Sequence, residues 1–202
     1  MIYTAQIFSQ TSDAAGFVHL TLARPHAFEY KPGQFIALRT TLDSPPVFLA
    51  LASHPSEKDL FLLSRTRYLG KTVFITAAQG SGFECDFSDS QPFLLITHGS
   101  GISAIRPAIL ERHAHGFNSD TLLYGIQDAA SKPALDILTP PYSEKKILAY
   151  SQAGDRIQTK LNTLDLTAFG AVILIGGKAF MDDTKQMLRA RGFALERVYS
   201  NS

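Results

Sequence analysis

Phe93-Leu94-Leu95-Ile96-Thr97-His98-Gly99-Ser100-Gly101-Ile102-Ser103-Ala104 is the stretch that decides the fold. Phe93–Thr97 is a nearly unbroken apolar run, as a strand buried on both faces of a parallel sheet requires. Two glycines follow at once, and Ile102–His115 then reads as a helix, with Pro107 close enough to the start to be tolerated. Strand, glycine turn and helix in this order fit the G-x-G-x-x-A form of the dinucleotide fingerprint. The first glycine permits the tight turn and the second lets a pyrophosphate approach the backbone. The helix N-terminus adds free N–H groups and partial positive charge, and Ala104 is small enough for helix and strand to pack closely. A plain glycine connection has the same local appearance, so the fingerprint alone leaves both readings open.

Downstream of this unit the pattern repeats. Thr121–Tyr124, Lys146–Tyr150 and Ala171–Ile175 read as further strands, and Asp182–Arg191 as a final helix with acids first and Gly192 as its stop. Strands alternating with helices give βαβ units and a parallel sheet. Upstream the grammar differs. Tyr3–Ser9, Phe17–Leu22, Phe35–Thr40, Phe48–Ala52, Asp59–Leu63 and Thr72–Ala77 are short candidate strands separated by Pro- and Gly-containing turns, which suggests a sandwich or barrel. The expected division is a β domain over residues 1–89 and an α/β domain over residues 90–202.

Composition narrows the function. The chain has 202 residues, 45% apolar and 18% charged, with a net charge of +1. That charge offers no field to attract nucleic acid or anionic lipid. One cysteine, Cys85, excludes an intrachain disulfide and Cys-rich zinc sites. The start, Met1-Ile2-Tyr3-Thr4-Ala5-Gln6, lacks the basic and apolar regions of a signal peptide, and no apolar stretch reaches the ~18 residues of a membrane span. A cytoplasmic location is expected. No acid ends the second strand, where Tyr124-Gly125-Ile126 stands instead. The ribose-binding carboxylate of a standard Rossmann dehydrogenase is therefore missing.

Several strings, in order, resemble the ferredoxin–NADP reductase superfamily: Tyr30-Lys31-Pro32-Gly33-Gln34-Phe35, Gly80-Ser81-Gly82-Phe83, Gly99-Ser100-Gly101-Ile102-Ser103, Leu123-Tyr124-Gly125 and Gly176-Gly177-Lys178-Ala179-Phe180-Met181. The resemblance covers nearly the whole chain. It implies an N-terminal antiparallel, Greek-key-like flavin-binding barrel, followed by a parallel sheet flanked by helices that binds NADPH or NADH. The implied activity is that of an oxidoreductase passing hydride between NAD(P)H and FAD. The nicotinamide nucleotide would lie across Gly99, Ser100, Gly101, Ile102 and Ser103, with Gly125, Ser151, Gly176, Gly177 and Met181. Flavin would lie by Gln34 and the segment Phe48–Ser53, which includes Leu49 and Ala50.

The chain looks like a divergent branch, because the family's Arg-x-Tyr-Ser flavin motif is absent. In sequence register its Arg falls on Val47, its Tyr on Leu49 and its Ser on Ala50. Valine cannot pair with a pyrophosphate, leucine packs without aromatic stacking, and alanine offers no donor. The Ser64–Lys71 connection suits a hairpin rather than an added helix. Its Arg65, Arg67 and Lys71 read as solvated turn charges in preference to phosphate ligands. The family's nicotinamide-side cysteine falls on Gly176. A non-catalytic module on the same fold, acting through a partner protein or as a homodimer, is the alternative reading.

The remaining candidates are weaker. His98 is equally a donor to an anion or a capping residue. His113 and His115 do not share a helix face, and no metal site is expected. Ser100 is not in a G-x-S-x-G context, and Cys85, between Glu84 and Asp86, reads as structural. Ser151-Gln152, with Arg156 and Lys160 near, leaves NADH and NADPH both open. No side chain stands out as a catalytic acid or base.

Overall fold

The computed structural model describes residues 1–128, 130 and 145–201. Alternating burial builds the first half. In β2 (Val18–Leu22), residues 18, 20 and 22 point inward and 19 and 21 lie nearer the surface, the period-two pattern of a sheet with one wet face. With β1 (Ile2–Ser12), β3 (Phe35–Arg39), β4 (Val47–Ala50), β5 (Leu60–Ser64) and β6 (Thr72–Thr76) it forms an antiparallel sheet of order β4-β3-β6-β1-β2-β5. A bridge between Leu51 and Leu62 draws the two edges together into a nearly closed barrel. Its core is aliphatic, with Leu20, Leu22, Ile36, Leu38, Leu51, Leu60, Leu62, Val73 and Ile75 fully buried.

Two of the recognised strings lock onto each other here. Gly33 has φ 90°, and a Cβ on it would sit 2.9 Å from the Phe83 ring. Gly82 has φ 75°, and its Cβ would meet the Pro32 carbonyl at 2.8 Å. The Phe83 N–H donates to that same carbonyl at 2.9 Å. Only glycine allows both the backbone angles and the approach.

The second half is a parallel sheet of order β11-β10-β7-β8-β9, made of β7 (Phe93–His98), β8 (Thr121–Ile126), β9 (Lys146–Tyr150), β10 (Ala171–Ile175) and β11 (Val198–Tyr199). Residues of β7 and β10 alternate between two apolar layers. Phe93, Leu95, Ile173 and Ile175 pack with α1 (Ile102–Ala114). Leu94, Ile96, Val172 and Leu174 pack with α2 (Ile157–Asn162) and α3 (Lys178–Ala190). Phe17, Leu63 and Phe83 of the barrel join the α1 layer, so the two sheets share an apolar boundary.

The final helix begins at Lys178, four residues before the expected Asp182. Gly177, extended at φ −66° and ψ 155°, is its N-cap. Asp182 consequently lies in the second turn, 2.7 Å from Lys178. The connection into the second sheet is pinned by Arg112, which has no exposed surface. Its guanidinium bonds Asp120 twice at 3.0 Å, donates to the carbonyls of Phe87, Asp89 and Gln91, and lies between the Phe93 and Phe117 rings. Among the described residues no helix is long and apolar enough to cross a membrane.

Candidate functional site

The order of the parallel sheet reverses at β7: β8 and β9 follow on one side, and β10 lies on the other. Open α/β sheets bind ligands in the crevice outside such a switch point. Both glycine turns of interest lie there, Gly99–Gly101 after β7 and Gly176–Gly177 after β10. Gly99 has φ 53°. Gly101 has an ordinary φ but no space: a Cβ would lie 2.2 Å from Oγ1 of Thr97. The turn is braced from below, because the Tyr124 hydroxyl donates to the Gly99 carbonyl at 2.8 Å and the Ser103 hydroxyl to the Ser100 carbonyl at 2.8 Å. Burial pushes the Tyr124 hydroxyl pKa well up, so it stays a donor.

A cavity of about 600 Å³ opens over this turn. Gly99, Gly125 and Ser151 line it, with His98, Gln127, Gln152, Arg156 and Phe180. The barrel contributes Phe17 and Arg65 to the same walls. Arg65 is no free turn charge: it donates to the Ala15 carbonyl at 2.7 Å and stacks 3.5 Å from the Phe17 ring centre. Asp155 is paired with Lys160 at 3.0 Å. His98 meets the Phe180 ring edge-on at 4.6 Å between centres, and desolvation lowers its pKa. A side chain at Gly176 would strike Phe180 at 2.4 Å and the His98 ring at 3.0 Å. The position of the family's cysteine is therefore filled from above by two rings.

A second, shallower cavity of about 410 Å³ lies against the barrel, lined by Phe35, Phe48, Ala50, Gln79 and Asn201. Phe35 and Phe48 meet edge to face at 6.0 Å. Leu49, aligned in sequence with the stacking tyrosine, points into the barrel core at 7% exposure, while Phe48 is 62% exposed. The pleat thus presents Phe48 and Ala50, and not Leu49, to the cavity.

The other expected site residues have different surroundings. Gln34 staples its own turn, donating to the Gly80 carbonyl at 2.7 Å and accepting from the Lys31 N–H at 2.8 Å. Ser53 is buried 2.8 Å from the Tyr30 hydroxyl. Ile102 and Ser103 are buried beneath the Gly99–Gly101 turn, and Met181, in the first turn of α3, is partly buried against the α2–α3 apolar layer. Cys85 lies away from both cavities, and desolvation pushes its thiol up to about 12.

The segment after β4 is clamped to α1. Arg106 holds Glu57 at 2.6 and 2.9 Å and donates to the Ala52 carbonyl at 2.8 Å. Burial opposes the Glu57 charge, but the bonds from Arg106 and the His54 N–H outweigh it and hold the carboxyl below its ordinary pKa. Nε2 of His54 lies 2.6 Å from Glu111.

No protein-family profile matches the sequence, and no characterised protein matches it at the level of sequence. Solved structures do match. A ferredoxin NADP+ reductase from Neisseria gonorrhoeae, solved with bound FAD and NADP, superposes with a TM-score of 0.82 at 16% identity over 98% of this chain and 96% of that one. The chain has the ferredoxin-reductase fold. A ferredoxin reductase in carbazole 1,9a-dioxygenase, in its FAD apo form, superposes at 0.83 with 17% identity, over all of this chain and 67% of that one. The flavohem-like FAD/NAD binding domain of a nitric oxide dioxygenase from Vibrio cholerae gives 0.76 at 19% identity over 98% and 97%. In an intact self-sufficient cytochrome P450 monooxygenase the same fold makes up 28% of the chain. The ferredoxin-reductase fold explains the pairing of a nearly closed barrel with a five-stranded parallel sheet.

Proposed function

We propose that this chain is an oxidoreductase that passes hydride between a nicotinamide nucleotide and a flavin. The observation that carries the reading is the cavity at the switch point, whose glycine turn leaves no room for a side chain at Gly101 and is lined by Gly99, Gly125 and Ser151. A pyrophosphate fits this cradle by close backbone approach and by the positive end of the α1 dipole. Arg65 from the barrel and Arg156 from the second domain add positive charge to the same walls. The fold neighbours supply matching ligands, since one was solved with FAD and NADP.

The apolar shelf of Phe35, Phe48 and Ala50 fits a flat aromatic ring system. A flavin bound there supplies a two-electron acceptor. The protein's own part is orientation: Phe48 supports one ring face, His98 and Phe180 close the nucleotide cavity, and the buried boundary layer excludes water. The expected redox partner protein belongs to this reading, because the neighbours include a ferredoxin reductase in carbazole 1,9a-dioxygenase and a cytochrome P450 reductase.

The test is a thermal-shift titration with NADH and NADPH, followed by anaerobic flavin bleaching. The expected result is a shift with at least one nucleotide and loss of flavin absorbance when both are present. No shift with either nucleotide sinks the proposal.

A further inference from the structure

The shelf that would carry the flavin ring is furnished for a ring and not for a charged tail. Phe35, Phe48, Ala50, Gln79 and Asn201 line it, and none of these carries a charge. A dinucleotide tail brings two anionic phosphates, whose strong partners are cations or converging N–H donors. The strand edging the shelf begins with Val47. The arginines of neighbouring segments are committed elsewhere. Arg39 closes the β3–β4 turn, donating to the carbonyls of Leu42 at 3.3 Å and Ser44 at 2.7 Å. Arg65 bonds Ala15 and lines the nucleotide cavity instead. Arg67 donates to the Gln10 carbonyl at 3.2 Å. The connection from β5 to β6 contains no helix, so no helix N-terminus is offered to a phosphate there.

Resting on the reaction proposed above, we infer that the flavin is a diffusible substrate, recognised by its isoalloxazine ring alone. The reduced nucleotide would give its C4 hydride to the ring and solvent a proton. The products are the oxidised nucleotide and a free dihydroflavin, which leaves to reduce an acceptor elsewhere. Riboflavin, FMN and FAD then become equivalent substrates, because the part that distinguishes them makes no charged contact with the shelf.

The experiment uses the full chain, purified without added flavin. Binding of riboflavin, FMN and FAD is followed by quenching of flavin fluorescence, and anaerobic turnover of each is measured with saturating NADH or NADPH. The expected result is a protein that elutes from gel filtration without flavin and has Kd and kcat/KM values within about threefold across the three flavins. Phe48→Ala should raise all three Kd values together, about tenfold, with an unchanged Tm because the side chain is exposed. Stoichiometric FAD surviving gel filtration, or FAD preferred more than tenfold over riboflavin, overturns this inference and leaves the proposed reaction standing. Unchanged Kd values in the Phe48→Ala protein overturn the placement on the shelf. Failure of every flavin to be reduced, with nucleotide binding intact, overturns the proposed reaction itself.

Discussion

Val47 and Phe48 are adjacent, and in the proposed flavin site they pose separate questions. Phe48 would offer the ring a face, and Val47 occupies the position that motif register gives to the family's phosphate-pairing arginine. Val47→Arg should therefore restore discrimination. A charge-assisted hydrogen bond is worth about 1.5–3 kcal/mol when well enclosed, and Val47 is 38% exposed, so screening leaves only part of it. FMN and FAD should bind roughly five- to tenfold more tightly to this variant and riboflavin no differently. Equal affinities for all three would remove Val47 from the explanation. His98 sets a different test. Desolvation beside Phe180 lowers its pKa in the folded chain, whereas an unfolded histidine titrates near about 6.5. Below that value the unfolded chain takes up more protons, so this contribution to stability is complete above about pH 7 and is lost as pH falls. His98→Asn should show a shallower fall of Tm between about pH 7.5 and 5.5 than the parent. Parallel Tm curves would show that His98 keeps its ordinary pKa.

The β7–turn–α1 element is where local sequence and close packing coincide. Thr97 is fully buried, its hydroxyl has no hydrogen-bond partner among the described residues, and a Cβ on Gly101 would overlap that oxygen. Gly101→Ala should destabilise the fold by about 1–3 kcal/mol, as overpacking does, and weaken nucleotide binding in the same titration. Adding Thr97→Ala should recover part of both losses by opening the space. A single variant as stable as the parent would mean that the turn yields easily. This element was legible because all its information lies within twelve consecutive residues. The glycine pairs were legible for the same reason. Period-two burial also holds the β4 answer, since Leu49 and Leu51 share a face and Phe48 and Ala50 share the other, but alignment to a motif points to Leu49 instead. The start of α3 was misplaced because acids at Asp182 and Asp183 resemble a first turn, whereas Gly177 caps the helix earlier. The six-residue α2 and two-residue β11 are too short to carry a period. Partners such as His54 and Glu111 lie 57 residues apart, and no local pattern reports them.

At the scale of the whole molecule, the proposed reaction depends on how the barrel shelf sits against the cavity at the switch point. The apolar layer shared by Phe17, Leu63, Phe83 and α1 resists separation, but apolar contact is non-directional and does not fix an angle. The polar clamp does. Glu57 and His54 follow directly on the β4 shelf segment, Arg106 and Glu111 lie on α1, and α1 begins at the phosphate turn. The clamp therefore ties both cavities to one helix. A double-mutant cycle on Glu57→Ala and Arg106→Ala should give a coupling of about 0.5–3 kcal/mol, as residues in one network do. The kinetic consequence follows from position: in the proposed reaction each ligand would bind mainly at its own cavity, so Kd values for nucleotide and riboflavin should stay within about twofold. Hydride transfer needs the two rings in register, and displacements near 1 Å cost up to about a hundredfold. Single-turnover mixing of the pre-bound nucleotide complex with riboflavin should then show a transfer rate reduced about tenfold in the double variant. If the loss appears only in the Kd values, or the transfer rate is unchanged, the clamp serves stability and the apolar layer alone aligns the domains.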